Sequence, residues 1–434
     1  MSGPRNHVDD LRGIGKLAVE ATKGVTDLVE AAHGAIGGAP ARLLSAPVYA
    51  TIRAVTSLVG GTLDVALAQL AGILGSGAPG PEREAILGAI NGVLGDYLVA
   101  TKNPLAIEMR LHRADGDAPK PNILFYLHGS SLSRSSWQAA RDLGYTPVHV
   151  DYNSGLHVST NGRTLDALLE ELVAGWPVRV EAIAIVAHSM GGLVARSACH
   201  YAEAGNHAWR RKLRAIVFLA TPHHGAPLER GGNWIETLLG VTNYSAPFAR
   251  LARIRSVGVT DLRFGNVIDE HWRGRDRFAL GSDGRVPVPL PKGVACYAIA
   301  AERDGLVARA SALGEHRDAR LALDFPATHR FVAKASGHLA LLRDAEVWDR
   351  IEGWLADRED LAGVALQPQH VAHVEEPDAE PAPKNDGNIC QELRRCAGER
   401  QAHADPRPSG ELRYGGEDEE YERAILDRRE PPAR

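Results

Sequence analysis

Short apolar runs alternate with helix-like segments between residues 105 and 358, and this alternation constrains the fold more than any other feature. Such runs are typical of parallel strands that are covered on both faces of a sheet. Helical patterns over 163–176, 190–204 and 345–358 supply the covering layers. The sequence therefore predicts an α/β fold with a doubly wound, mostly parallel sheet. The predicted strands are NILFYLH (122–128), PVHVDY (147–152), EAIAIVAH (181–188), LRAIVFLA (213–220) and VACYAIAA (294–301).

Two regions of different composition flank this predicted domain. Residues 1–104 are rich in Ala, Gly, Leu and Val, and their apolar positions recur at three- and four-residue steps, which predicts an added N-terminal helical region. Its many glycines weaken each helix alone, so we expect it to pack on the main domain or on a partner such as a second copy. Contact with a lipid surface is the alternative. Residues 359–434 are polar and charged and are predicted to form a largely disordered tail.

Charge and cysteine content exclude several classes of function. The chain has 434 residues and a formal net charge of -5, which gives no electrostatic reason to expect nucleic acid binding. Its four cysteines show neither a disulfide framework nor zinc spacing, so we expect free thiols. Neither a secretory signal pattern nor an uncharged apolar run of about 20 residues is found. These observations predict a cytoplasmic protein, and they leave association with a membrane surface open.

One segment predicts a reactive serine. In EAIAIVAHSMGGLVARSA (181–198) a strand pattern passes directly into a helix pattern at Ser189. A nucleophile elbow of this kind needs small residues two positions before and after the serine, and Ala187 and Gly191 stand there. Ala187 departs from the strict G-x-S-x-G pattern, but it is small. The alternative is a serine that merely caps a helix.

A nucleophilic serine needs a histidine base and an acid that orients it. His338, in SGHLALL, follows a predicted last strand (HRFVAKA) and precedes the last helix, which favours the role of base over that of a surface histidine. Asp304 lies in an Asp-Gly turn just past the strand 294–301 and is the preferred acid. Asp283 is the alternative acid, although it precedes that strand and is therefore expected at the opposite end of the sheet.

Two backbone amides are predicted to form an oxyanion hole. One belongs to Met190, the residue after the nucleophile. The other belongs to Ser130, in the loop LHGSSLSRSSW that follows the strand 122–128. The side chain of His128 in the same loop is expected to form structural hydrogen bonds rather than to act as a base.

Five segments, in this order, resemble the α/β-hydrolase superfamily: FYLHGSS, VAHSMGGLVARS, FLATPHHGAPLE, RDGLV and SGHLALL. More narrowly, they resemble bacterial lipase and esterase proteins grouped with the GPI inositol-deacylase (PGAP-type) and triacylglycerol lipase branch. The resemblance covers about residues 105–358 and implies a serine hydrolase of lipid or acyl esters that needs no cofactor and no metal. By this resemblance Ser189, Asp304 and His338 form the triad, with Met190 and Ser130 in the oxyanion hole.

The resemblance also implies a cap-like insertion at about 226–275, where Trp234, Leu238, Leu239 and Phe248 either line an acyl pocket or belong to the core. His223 and His224 are interpreted as loop-forming residues near the pocket rather than as metal ligands. The same machinery also serves thioesterases, amidases and acyltransferases. A non-catalytic scaffold that binds lipid is the remaining alternative.

Overall fold

The computed structural model describes residues 80–113, 118–137, 141, 143–226, 256–276 and 283–356, together with residue 13. The predicted tail and most of the predicted cap-like insertion, including its four apolar residues at positions 234, 238, 239 and 248, lie outside the described residues. The predicted N-terminal region is described at residue 13 and from residue 80 onwards.

Seven strands within these ranges form one sheet in the order β1-β3-β2-β4-β5-β6-β7. Neighbouring strands are parallel, except that β1 runs antiparallel to β3 at one edge. The predicted doubly wound, mostly parallel sheet is confirmed. The strands are β1 (Arg110–Arg113), β2 (Asn122–Leu127), β3 (Thr146–Asp151), β4 (Ala182–His188), β5 (Leu213–Leu219), β6 (Ala295–Ala301) and β7 (Arg330–Ala333).

Helices cover both faces of this sheet. Among the described residues they are α1 (Pro81–Ala100), α2 (Val158–Gly175), α3 (Met190–Gly205), α4 (Ala208–Lys212), α5 (Val257–Asp261), α6 (Arg309–Ala312) and α7 (Ala345–Ala356). None of the helices in these ranges is long and apolar enough to cross a membrane.

Alternate side chains of the central strands β2, β4, β5 and β6 enter two separate cores. In β2, Phe125 packs in a core with α1, α2 and α3, whereas Tyr126 packs on the opposite face with Trp348 of α7. This two-sided burial explains why the central strands read as nearly continuous apolar runs.

Helix α1 is built into the first of these cores, although it precedes the sheet in the chain. Its buried residues Ile86, Ile90 and Val93 belong to the same cluster as the strands. The side chain of Asn91 donates a hydrogen bond to the carbonyl of Leu105 (2.8 Å) and accepts one from the amide of Ile107 (2.8 Å). The described end of the predicted N-terminal region therefore packs on the sheet domain.

Candidate active site

Ser189 lies at a sharp turn between β4 and α3, at the carboxyl end of the central strands. Its backbone has φ 52° and ψ -122°, a conformation that costs a non-glycine residue roughly 1–3 kcal/mol. The Ser189 amide donates a 2.8 Å hydrogen bond to the carbonyl of Leu219 at the end of β5, which anchors the turn. The main chain thus holds one hydroxyl-bearing side chain in a fixed, strained position.

Two glycines after Ser189 permit this turn because neighbouring groups approach closely. A Cβ atom at Gly191 would lie 2.6 Å from the carbonyl oxygen of His128. A Cβ atom at Gly192 would overlap with the hydroxyl of Thr221. Any side chain at these positions would push α3 away from the loops that follow β2 and β5.

Asp304 and His338 form a buried hydrogen-bonded pair. The Nδ1–H of His338 donates to Oδ2 of Asp304 at 2.8 Å, and the two side chains are 5% and 3% exposed. The other carboxylate oxygen of Asp304 accepts hydrogen bonds from the amides of Leu306 (2.8 Å) and Val307 (2.9 Å). Burial alone would raise the pKa of Asp304, but these donors outweigh it and hold the pKa below its usual value.

Because Nδ1 of His338 carries the proton in this pair, Nε2 is unprotonated and can only accept a hydrogen bond. Within the described part of the chain, neither this nitrogen nor Oγ of Ser189 has a hydrogen-bond partner, and both atoms are buried. The His338 loop contacts the turn through the residue before the serine: Nε2 of His188 lies 3.0 Å from the carbonyl oxygen of His338. The structure therefore brings Ser189, Asp304 and His338 to one region.

The two predicted oxyanion donors flank the same turn. Met190 is the first residue of α3, a position whose amide has no carbonyl partner one turn earlier within the helix. Ser130 is buried in the loop after β2, and a Cβ atom at the adjacent Gly129 would lie 3.1 Å from Cβ of Ser189. The loop that carries Ser130 therefore lies against the serine.

His128 forms local hydrogen bonds. Its Nδ1 bonds the carbonyl of Gly129 (2.8 Å), its ring stacks on Tyr152 at 4.2 Å, and the Tyr152 hydroxyl donates to the His128 carbonyl (2.7 Å). Burial lowers the pKa of His128, so the ring is neutral at pH 7.

The alternative acid, Asp283, pairs with a different side chain. Arg285 donates to both of its carboxylate oxygens, at 3.0 Å and 2.9 Å, and also donates to the carbonyl of His223 (3.1 Å). The expectation that Asp283 lies at the opposite end of the sheet from the serine is wrong. Several residues of non-helical, non-strand chain separate it from β6, so Asp283 and Arg285 lie beside the loop that follows β5.

The two histidines of the TPHHGAP loop are buried in that same neighbourhood. Nδ1 of His223 lies 3.4 Å from the guanidinium of Arg196, and the amide of His224 donates to the hydroxyl of Ser311 (3.0 Å). Burial lowers the pKa of both rings, to about 3 for His224. No group of three or more potential metal ligands occurs among the residues that the structure describes.

One part of the chain matches a known protein family. Residues 151–284 match the PGAP1-like alpha/beta domain family. The resemblance noted in the sequence is thereby confirmed. The match to the PGAP1-like domain contains Ser189 and ends before Asp304 and His338, so the nearness of those two residues is seen only in the structure. No curated protein matches the chain in sequence.

Solved structures similar to the chain include a lipase, a thioesterase and an esterase. The mature Bacillus licheniformis lipase BlEst2 has 17% identical residues and a TM-score of 0.35, with 57% of this chain and 97% of the lipase covered. The type II thioesterase BorB from the borrelidin biosynthetic cluster has 17% identity and a TM-score of 0.35, with coverages of 58% and 96%. An esterase of Pyrobaculum calidifontis has 13% identity and a TM-score of 0.36, with coverages of 59% and 80%.

Two residues beside the site were not predicted from the sequence. His188 is a polar residue at the end of an apolar strand, and that contrast is the signal that could have revealed it. Ser154, in the loop after β3, accepts a 2.9 Å hydrogen bond from the amide of Ser131. Ser154 has no distinctive sequence context, so only its contact reveals it.

Proposed function

We propose that the protein is a serine hydrolase that cleaves carboxylic esters through an acyl-enzyme on Ser189. The observation that carries the proposal is the buried hydrogen bond between Asp304 and His338, which leaves Nε2 of the histidine bare near a serine on a strained turn. This tautomer is the one that a general base requires.

The proposed reaction has two steps. Nε2 of His338 takes the proton of the Ser189 hydroxyl as Oγ attacks the ester carbonyl, and the protonated imidazole then returns that proton to the leaving alcohol. In the second step the same nitrogen takes a proton from water as the water oxygen attacks the acyl carbonyl, and it returns that proton to Oγ of Ser189 as the acid is released. The amides of Met190 and Ser130 would stabilise the oxyanion in both steps, and Asp304 would stabilise the imidazolium.

Burial of the proposed catalytic atoms supports this chemistry. Catalytic hydrogen bonds are often long or poorly aligned in the absence of substrate, so the lack of a serine–histidine bond is compatible with the mechanism. Lipid and other acyl esters are the proposed substrates, in keeping with the PGAP1-like match and with solved neighbours described as a lipase and an esterase. A neighbour described as a thioesterase makes acyl thioesters the second candidate.

The test is hydrolysis of p-nitrophenyl esters from acetate to palmitate by the wild type and by Ser189→Ala. We expect turnover in the wild type and its loss in the variant, with the preferred chain length separating lipase from short-chain esterase. Ser197→Ala is the matched control because Ser197 is a buried serine on α3, away from the turn. Equal ester turnover by the wild type and Ser189→Ala would refute the proposal.

The same assay separates hydrolysis from the alternatives. Addition of a primary alcohol measures acyl transfer to the alcohol in competition with water. Comparison of the turnover of acyl thioesters with that of esters measures whether the thioester bond or the ester bond is preferred. A folded wild type that turns over none of these substrates, and whose Ser189 is not labelled by a fluorophosphonate, would favour a non-catalytic lipid-binding protein.

A further inference from the structure

His188 is a fully buried histidine that the proposed reaction does not use. It is the last residue of β4, paired with Leu219 of β5, and it directly precedes Ser189. The position of its imidazole is therefore fixed by the same sheet and the same strained turn that fix the nucleophile.

The imidazole of His188 binds the main chain of the proposed base. Its Nε2 lies 3.0 Å from the carbonyl oxygen of His338, and the two ring centroids are 4.7 Å apart at an angle of 55°. Because a carbonyl oxygen only accepts, Nε2 of His188 must carry the proton and donate it. The tautomer of His188 follows from this one contact.

A third segment meets the same ring. A Cβ atom at Gly129 would lie 2.8 Å from Nδ1 of His188, so the loop that carries Ser130 packs directly on the imidazole. The imidazole of His188 thus contacts the loop of the proposed base and the loop of a proposed oxyanion donor, and its main chain directly precedes the proposed nucleophile.

We propose that His188 is a positioning residue, whose Nε2–H holds the carbonyl of His338 and so fixes the base relative to Ser189. The inference rests on the proposed function. Reacting groups must be held within a fraction of an ångström, and a misplacement of about 1 Å can cost on the order of 100-fold in rate.

The electrical neutrality of His188 fits this role. Burial, followed by the nearby His338, lowers the pKa of His188 to about 3, so it carries no charge at pH 7. A second cation at this distance would oppose the imidazolium that forms on His338 during the proposed reaction. A neutral donor orients the base without that repulsion.

Two amide variants test the proposal. In His188→Gln the terminal amide nitrogen falls near the position of the histidine Nε2, whereas in His188→Asn it falls near Nδ1 and cannot reach the carbonyl. We expect the kcat of His188→Gln to stay within about 10-fold of the wild-type value and the kcat of His188→Asn to fall on the order of 100-fold. KM should be unchanged in both variants. Labelling of Ser189 by a fluorophosphonate should fall in the same order, because it reports activation of the serine alone.

The outcomes separate this inference from the proposed function. If the wild type is labelled at Ser189 and folded Asn and Gln variants are labelled and turn over equally fast, the positioning role is wrong and the serine hydrolase stands. A wild type that neither reacts with the probe nor turns over any acyl substrate overturns both proposals.

A measurement on the wild type covers the case in which both variants unfold. The ¹⁵N shifts of the histidine rings distinguish protonated from bare nitrogens. His188 should show a protonated Nε2 and a bare Nδ1, and the opposite tautomer would overturn the inference.

Discussion

The amide of Ser131 donates a 2.9 Å hydrogen bond to the hydroxyl of Ser154, which joins the loop after β2 to the loop after β3. Ser131 has φ 59°, a conformation that is uncommon for a residue other than glycine, so this bond helps to hold the loop that carries Ser130. We expect Ser154→Ala to lower kcat by roughly 10-fold, less than the 10²–10³-fold that loss of an oxyanion donor costs.

Steady-state kinetics on an ester substrate would measure this effect, and Ser159→Ala is its control. The Ser159 hydroxyl accepts a 2.9 Å hydrogen bond from the indole of Trp272 instead of from the loop after β2. Its loss should lower the melting temperature without changing kcat. A folded Ser154→Ala protein with wild-type kcat would show that the loop is held by other contacts.

Asp304→Asn tests the proposed acid. The amide cannot supply the negative charge that stabilises an imidazolium, and it disturbs the tautomer of His338, so kcat should fall by roughly 10⁴-fold. Asp283→Asn makes the same chemical change at the alternative acid, which is paired with Arg285. We expect that variant to be less stable but to keep kcat within a few-fold. A larger loss of kcat in Asp283→Asn than in Asp304→Asn would reverse the assignment.

Gly92→Ala tests the contact between α1 and the loop after β2. A Cβ atom at Gly92 would lie 2.7 Å from Cα of Ser131, and overpacking of this kind costs roughly 1–3 kcal/mol in free energy of unfolding. Gly353→Ala on α7 is the matched control, because a Cβ atom there has no neighbour within 4 Å. Helix propensity alone should make the control more stable by about 1 kcal/mol. Urea unfolding would compare the two, and equal stabilisation of both variants would contradict the described packing.

Acid should destabilise the fold through its buried histidines. Burial is the main cause that lowers the pKa of His188 and His224 to about 3 and that of His271 to about 4. In the unfolded chain a histidine takes up a proton near pH 6.5, whereas these folded rings do not until the pH is much lower. Stability is therefore lost as the pH falls from about 6.5 towards 4, by roughly 2 kcal/mol for each ring at pH 5.

Urea unfolding at pH 7 and pH 5 would measure this loss. The three rings together amount to about 6 kcal/mol, which is a large share of the 5–15 kcal/mol that stabilises most proteins. Equal free energies of unfolding at the two pH values would show that the rings become protonated in the folded state.

The parallel core of the sheet could be predicted from the sequence because both faces of its strands are buried. Five of the predicted strands differ from the observed β2 to β6 by at most one residue at each end, and the predicted last strand, HRFVAKA, contains β7. Strand β1 was not predicted, since its sequence, RLHR, is polar and half-buried at the edge of the sheet. Its pairing with β3 depends on the neighbouring strand and not on its own pattern.

The site could be predicted in part for a similar reason. Ser189, Asp304 and His338 each stand at the end of a predicted strand, and such ends share one edge of a parallel sheet. Chain order alone predicts the wrong end of the sheet for Asp283, because the segment between Asp283 and β6 is long enough to run back along the sheet. His188 and Ser154 act through contacts between distant segments, which a strand or helix pattern does not encode.

Helix α1 is synthesised before the strands on which it packs. Its three glycines weaken it in isolation, so we expect it to become ordered only when the strands that it packs on are present. A shortened chain that begins at residue 105 would leave Ile86, Ile90 and Val93 out of the core and would remove the helix that lies against Ser131. The smallest fragment suitable for expression therefore begins no later than Gly80, well before the first strand of the sheet.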